Sequence, residues 1–206
     1  SYVLGVLNQD QLRRSLFPLA DTPKPQVRAE AHSLGLRVAD KPDSYDICFI
    51  PDGDTQGYLR AHLGETPGPI VDRSGTELGR HRGHHGFTIG QRKGLDLRVP
   101  APDGNPRYVL RIEPAGNRVV VGPGESLLVT NLAGIRPTWT QHRVPGSWRG
   151  QVQYRAHGAA LSATITTIGD DEVRVELDEP TRGVAPGQSM VFFDVTRVIG
   201  SATISG

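Results

Sequence analysis

ALSATITTIGDDEVRVEL, residues 160–177, decides the fold. Two runs with partial period-2 alternation lie on either side of the turn signal Gly169-Asp170-Asp171, which predicts two short strands. The pattern continues in SMVFFDV, residues 189–195, and TRVIGSATIS, residues 196–205, with Pro186-Gly187 breaking the chain ahead of them. Strands recurring at such short intervals from about residue 125 predict a small antiparallel barrel or sandwich.

Working back from there, RYVLRIEPAGNRVVVG, residues 107–122, reads as a hairpin about Pro114-Ala115-Gly116-Asn117. TPGPIVDRSGTELGRH, residues 66–81, reads as two short strands about Arg73-Ser74-Gly75. The Gly-rich, basic run GRHRGHHGFTIGQRKGL, residues 79–95, lies between these two units, and residues 99–106 form a Pro/Gly-rich loop.

The first 64 residues look helical. Asn8 is placed to cap a short helix. Thr22-Pro23-Lys24-Pro25 puts a proline at the first helical position, where its missing N–H costs nothing. Val27, Ala31 and Leu34 follow at helical spacing, and Gly35 is placed to end the helix. YDICFI, residues 45–50, reads as a strand or extended segment, and Asp54 as the N-cap of a third helix through Tyr58, Leu59 and Leu63. The expected fold is mixed and mainly β. It divides into a helical tail at 1–64, a small β-rich central domain at 65–124 and a C-terminal antiparallel β-barrel at 125–206.

Composition supports many turns, with 25 Gly and 16 Pro in 206 residues. A net charge of +1 gives no bulk attraction to nucleic acid, so any such attraction must come from local clustering. A single cysteine and the lack of a membrane-spanning apolar run predict a cytoplasmic protein with no membrane partner. The N-terminus SYVLGVLNQD has neither a start methionine nor a charged signal region, and reads as a cut inside a larger protein.

Cys48 lies in DSYDICFIPDGD, residues 43–54. Taken on composition, its neighbours Ile47, Phe49 and Ile50 make it a small buried hydrophobe. Asp43, Asp46, Asp52 and Asp54 would raise a thiol pKa. Zinc spacing is absent, and PDGD lacks the later ligands of a calcium loop, so no metal site is expected. In the basic run, Arg80, Arg82, Arg92 and Lys93 stand among glycines that let backbone N–H groups approach a phosphate. There Phe87 offers a face for base stacking, whereas the bland alternative is a solvated loop. VQYRAHG, residues 152–158, reads as a strand end exposing Tyr154 and Arg155. No Ser-His-Asp set, P-loop or dinucleotide fingerprint is present.

Together SYVLGVLNQDQLRRSLFPLADTPKPQVR, DSYDICFIPDGD, PGPIVDRSGTELGRHRGHHGFTIGQRKGL, RYVLRIEPAGNRVVVG and DEPTRGVAPGQSMVFFD closely resemble, in order, the bacterial tRNA-specific 2-thiouridylases, long called 2-thiouridylate methyltransferases. The resemblance is most specific around Cys48 and FTIGQRKGL, and loosest from about 130 to 165. It implies a C-terminal fragment that begins after an ATP-pyrophosphatase core, without the SGGxDS loop and first cysteine. In that family ATP activates the 2-oxygen of the wobble uridine, and a persulfide on the second cysteine supplies sulfur. The match to that cysteine is Cys48. The implied partners are tRNA and a cysteine desulfurase or sulfur-relay protein. The implied barrel contacts are Gln153 and Tyr154, with Gln153 replacing the usual arginine and Arg155 placed to compensate, and Gln188. Arg80, Arg82, Arg92 and Lys93 are expected to face tRNA as well. The chain alone is expected to be inactive, with weak, salt-sensitive tRNA binding. A competing reading is a non-catalytic RNA- or ribosome-binding barrel, which leaves the Cys48 segment unexplained.

Overall fold

A computed structural model of the chain describes residues 2–41, 50, 54–97, 99, 101, 103–140 and 146–205. Local signals set the helices. Asn8 caps α1 (Gln9–Arg13) through a reciprocal capping box with Gln11. α2 (Lys24–Ser33) has Pro23 at its N-cap, so the prolines flank the first helical position instead of filling it. It ends at Gly35 with φ +65°, where Leu36 N–H donates to the Ala31 carbonyl and Gly35 N–H to that of His32. This is the Schellman arrangement. α3 (Thr55–Leu63) is capped by the Asp54 carboxylate, which accepts from Gly57 N–H at 2.8 Å. The expected strand YDICFI falls, apart from Ile50, outside the described residues.

The central unit is a four-stranded sheet. β1 (Gly68–Val71) and β2 (Glu77–His81) are joined by a turn in which the Asp72 carboxylate accepts from Ser74 and Thr76 N–H. β3 (Tyr108–Glu113) and β4 (Arg118–Gly122) form the expected hairpin, with Asn117 in the left-handed region. Strand order is β2-β1-β4-β3, and β1 pairs with β4 in parallel. Ile70, Val109, Val119 and Val121 make its buried core with Leu95 from the basic run.

The remaining strands close into the expected barrel. β5 (Val129–Trp139), β6 (Ser147–Gln153), β7 (Leu161–Ile168), β8 (Glu172–Thr181), β9 (Ser189–Asp194) and β10 (Arg197–Ile204) run β10-β5-β8-β7-β6-β9, all antiparallel. Ala163 and Ile165 on β7, and Val173, Val175 and Leu177 on β8, point inward to the core as the alternation requires. On β9 the alternation fails, because Met190, Val191, Phe192 and Phe193 are all buried. The N-terminal 3-10 turn (Val3–Val6) covers the outer face of this strand. Gly5 packs on the Val191 methyls, and the Tyr2 hydroxyl donates to the Ser189 carbonyl at 2.7 Å.

Candidate functional site

The basic run does not form a free loop. His81 ends β2 and turns inward at 4% exposure, and its Nε2–H donates to the Asn117 carbonyl at 3.1 Å. Burial holds the ring's pKa below its ordinary value, so His81 is neutral near pH 7. The Asn117 amide completes the knot. Its Nδ2 donates to the carbonyls of Thr66 and Pro67 at 3.1 and 3.0 Å, which leaves Oδ1 to accept from His84 Nδ1 at 3.0 Å. Two of the three histidines are therefore structural. Among the described residues no group of three His, Cys, Asp or Glu is placed to hold a metal ion.

Phe87 was expected to offer a free stacking face. It packs instead against the central core and lies edge-on to His81 with centroids 5.6 Å apart. An apolar ring beside a buried sheet gains more from burial than from solvent.

Beyond Phe87, FTIGQRKGL is stitched to β3. Gly90 N–H donates to the Val109 carbonyl at 2.8 Å, and Val109 N–H returns to that of Gln91 at 2.9 Å. The Gln91 side chain accepts from Thr88 N–H and donates to the Lys93 carbonyl. This tie holds Arg92 and Lys93 at the exposed tip of a fixed turn. The sequence places Asn117 in a hairpin turn, where Gly116-Asn117 signals a left-handed residue, but the side-chain ties of Asn117 and Gln91 have no local sequence signal. Asn117→Ala is expected to lower stability by about 2–3 kcal/mol, because it loses side-chain hydrogen bonds and places alanine at positive φ. Asn117→Gly keeps the conformation and should cost about 1 kcal/mol less. Equal unfolding midpoints for the two variants would refute the strain component.

Arg80 and Arg82 are exposed, with loose ion pairs to Glu77 at 3.4 Å and Glu65 at 3.8 Å. With α3 they wall a cavity of about 270 Å³, which also takes in Gln56 and Arg60.

The barrel residues lie elsewhere and require a correction. Tyr154 was expected to be exposed, but it is 7% exposed. Its hydroxyl shares a 2.6 Å hydrogen bond with Thr181 and reaches the Arg182 carbonyl at 3.2 Å. A buried phenol needs such partners, and Thr181, at the end of β8, supplies them. The Gln153 Nε2 donates to the carbonyls of Arg155 and Gly158, binding its own turn together. An arginine at this position would project further, whereas the shorter amide is spent on the backbone. Arg155 donates to the Gly183 carbonyl at 2.6 Å, with its guanidinium 5.5 Å from the Tyr154 ring centroid. Gln188 is exposed in the turn before β9. Gly90 and Gly183 both have positive φ, and a β-carbon on Gly90 would sit 3.1 Å from Gly183 Cα and 3.8 Å from the Arg155 guanidinium. The FTIG turn of the central unit thus abuts Arg155 on the barrel. Cys48 lies outside the described residues.

Three family models match the chain in succession. They are the tRNA methyl transferase HUP domain at residues 1–52, the tRNA methyl transferase PRC-barrel domain at 56–123 and the aminomethyltransferase β-barrel domain at 129–204. The three models, matching in succession over the helical segment, the small sheet and the closed barrel, place the chain among multidomain proteins of the tRNA methyl transferase type. The chain is 59% identical over 205 residues to the tRNA-specific 2-thiouridylase MnmA of Acidothermus cellulolyticus and 58% over 206 to that of Cutibacterium acnes. It is 54% identical over 210 residues to that of Mycolicibacterium smegmatis. Each match takes in 100% of the chain but only 56–59% of the relative's length. The chain belongs to the tRNA-specific 2-thiouridylase family.

Proposed function

We propose that this chain supplies the sulfur-carrying cysteine and the RNA-gripping domains of a tRNA-uridine 2-sulfurtransferase. The observation that carries this is the similarity to proteins named tRNA-specific 2-thiouridylase, 54–59% identical across 100% of the chain. Cys48 carries a persulfide received from a cysteine desulfurase or relay protein. Its terminal sulfur bonds to C2 of the wobble uridine as the adenylated oxygen leaves with AMP, and a second cysteine elsewhere then attacks the Cys48 Sγ, breaking the persulfide S–S bond, forming a disulfide between the two cysteines and leaving the thiocarbonyl. ATP makes the departing uridine oxygen a leaving group. The sequence contains no SGGxDS phosphate loop, so none of its residues is assigned to ATP.

Arg92 and Lys93, held at the tip of a pinned turn, suit phosphate contact, as do the exposed Arg80 and Arg82. Gln188 is available on the barrel. Tyr154, Gln153 and Arg155 act by fixing the strand end at the junction with the central unit. A cytoplasmic location goes with this role, and among the described residues no helix is long and apolar enough to cross a membrane.

The test is mass spectrometry of tRNA nucleosides after incubation with ATP, a desulfurase, cysteine and a protein of the relatives' full length containing this chain. 2-Thiouridine is the expected product, and none should form with the 206-residue chain alone. Unchanged uridine with the longer protein would overturn the reading.

A further inference from the structure

We propose that the cavity between α3 and the end of β2 is a phosphate-binding site, which in the sulfurtransferase seats one backbone phosphate of the RNA. The second half of this statement rests on the function proposed above. The cavity, about 270 Å³, is close to the lower end of ligand pockets and suits a phosphate with its adjoining sugar better than a whole dinucleotide.

Its walls come from three separate pieces of chain. α3 supplies Gln56 and Arg60, the end of β2 and the turn that follows supply Arg80, Arg82 and His85, and residues 94–96 supply the carboxylate of Asp96. Three guanidinium groups line the cavity, each only loosely paired with a carboxylate outside it, and a guanidinium fork matches phosphate geometry.

The carboxylates near these arginines hold them loosely. Glu77, Glu65 and Asp54 stand at 3.4, 3.8 and 3.8 Å from Arg80, Arg82 and Arg60. Pairs this long and this exposed contribute little, so an entering phosphate displaces little. The base of the site is rigid. His81 and Phe87 pack edge to face there, and the Asn117 knot fixes His81. A metal ion is a poor occupant, because the arginines offer no lone pair and repel a cation, and among the described residues no three His, Cys, Asp or Glu are grouped to hold one.

The site also has a consequence for register. Arg60 lies on the helix capped by Asp54, and Asp54 stands six residues beyond Cys48 in the chain. A phosphate gripped here fixes RNA against the element that follows the sulfur-carrying segment. This separates the role of Arg60, Arg80 and Arg82 from that of Arg92 and Lys93, which make an open contact at a turn tip.

Arg60→Gln and Arg82→Gln are the test variants, with Arg149→Gln on the outer barrel as control. Amide shifts of Gly83 and Gly86 on adding inorganic phosphate read the site without RNA. Wild-type and control chains should shift, and both test variants should lose the response. With tRNA, each test variant should reduce the slope of log Kobs against log salt by about 0.7–0.9, the value for one phosphate contact. If phosphate shifts the amides but the tRNA salt slope is unchanged in both variants, the site is a pocket for free phosphate and its RNA role is refuted, whereas the sulfurtransferase reading falls only with the nucleoside assay on the longer protein. If phosphate shifts neither glycine and the tRNA salt slope is unchanged in both variants, the site is refuted while that reading survives.

Discussion

Cys48→Ser in a full-length protein containing this chain is expected to abolish 2-thiouridine formation and to leave tRNA binding intact. The expected loss is on the order of 10³-fold or more, because a hydroxyl cannot carry a transferable sulfur and the covalent route has no substitute. A sulfur label passed from cysteine through a desulfurase should appear on the wild-type protein, leave on reduction, and be missing from the variant. Retention of even a tenth of wild-type product would reject Cys48 as the carrier. The charge around the thiol sharpens this expectation. Asp43, Asp46, Asp52 and Asp54 flank it in sequence, and negative charge disfavours a thiolate. Asp54 is already engaged, since it caps α3 and lies 3.8 Å from Arg60.

Much of the barrel was legible because β7 and β8 have one face inside and one outside, which writes the period directly into Val173, Val175 and Leu177. β9 was legible as a strand, but the alternation read there does not hold, because Met190 to Phe193 are all buried. Its outer face is covered by Gly5 and Tyr2, which come from the other end of the chain and leave no local trace. The parallel pairing of β1 with β4 was hidden for the same reason, since no turn joins them. At the candidate site, charge was readable but environment was not. Arg80, Arg82, Arg92 and Lys93 stand out in any sequence. Tyr154 looked exposed because a Tyr-Arg pair at a strand end usually is, and its burial depends on Thr181 arriving from β8. Arg60 was overlooked because it sits on a helix assigned to a different unit, and only the folded chain sets it beside Arg82.

Phe192→Ala should destabilise the barrel by about 3–5 kcal/mol, the cost of removing a buried aromatic ring and leaving a cavity. That is a large share of the roughly 5–15 kcal/mol that holds a domain together. Phe192 is fully buried at the closing seam, where β9 pairs with β10 on one side and β6 on the other. Its ring stacks on Trp139 with centroids 5.8 Å apart and meets Trp148 edge to face at 6.3 Å. Opposite it stands Gly200, where a β-carbon would come within 2.4 Å of the Thr138 carbonyl oxygen and 2.5 Å of the Trp139 ring. Trp139 thus occupies the space that Gly200 leaves, and Phe192 holds it there. The two tryptophans in the sequence are both in this cluster, so intrinsic fluorescence during urea unfolding reads the seam directly. Phe192→Leu, which keeps most of the volume, should cost about 1–1.5 kcal/mol. An alanine variant within about 1 kcal/mol of wild type would mean that the barrel closes without this cluster.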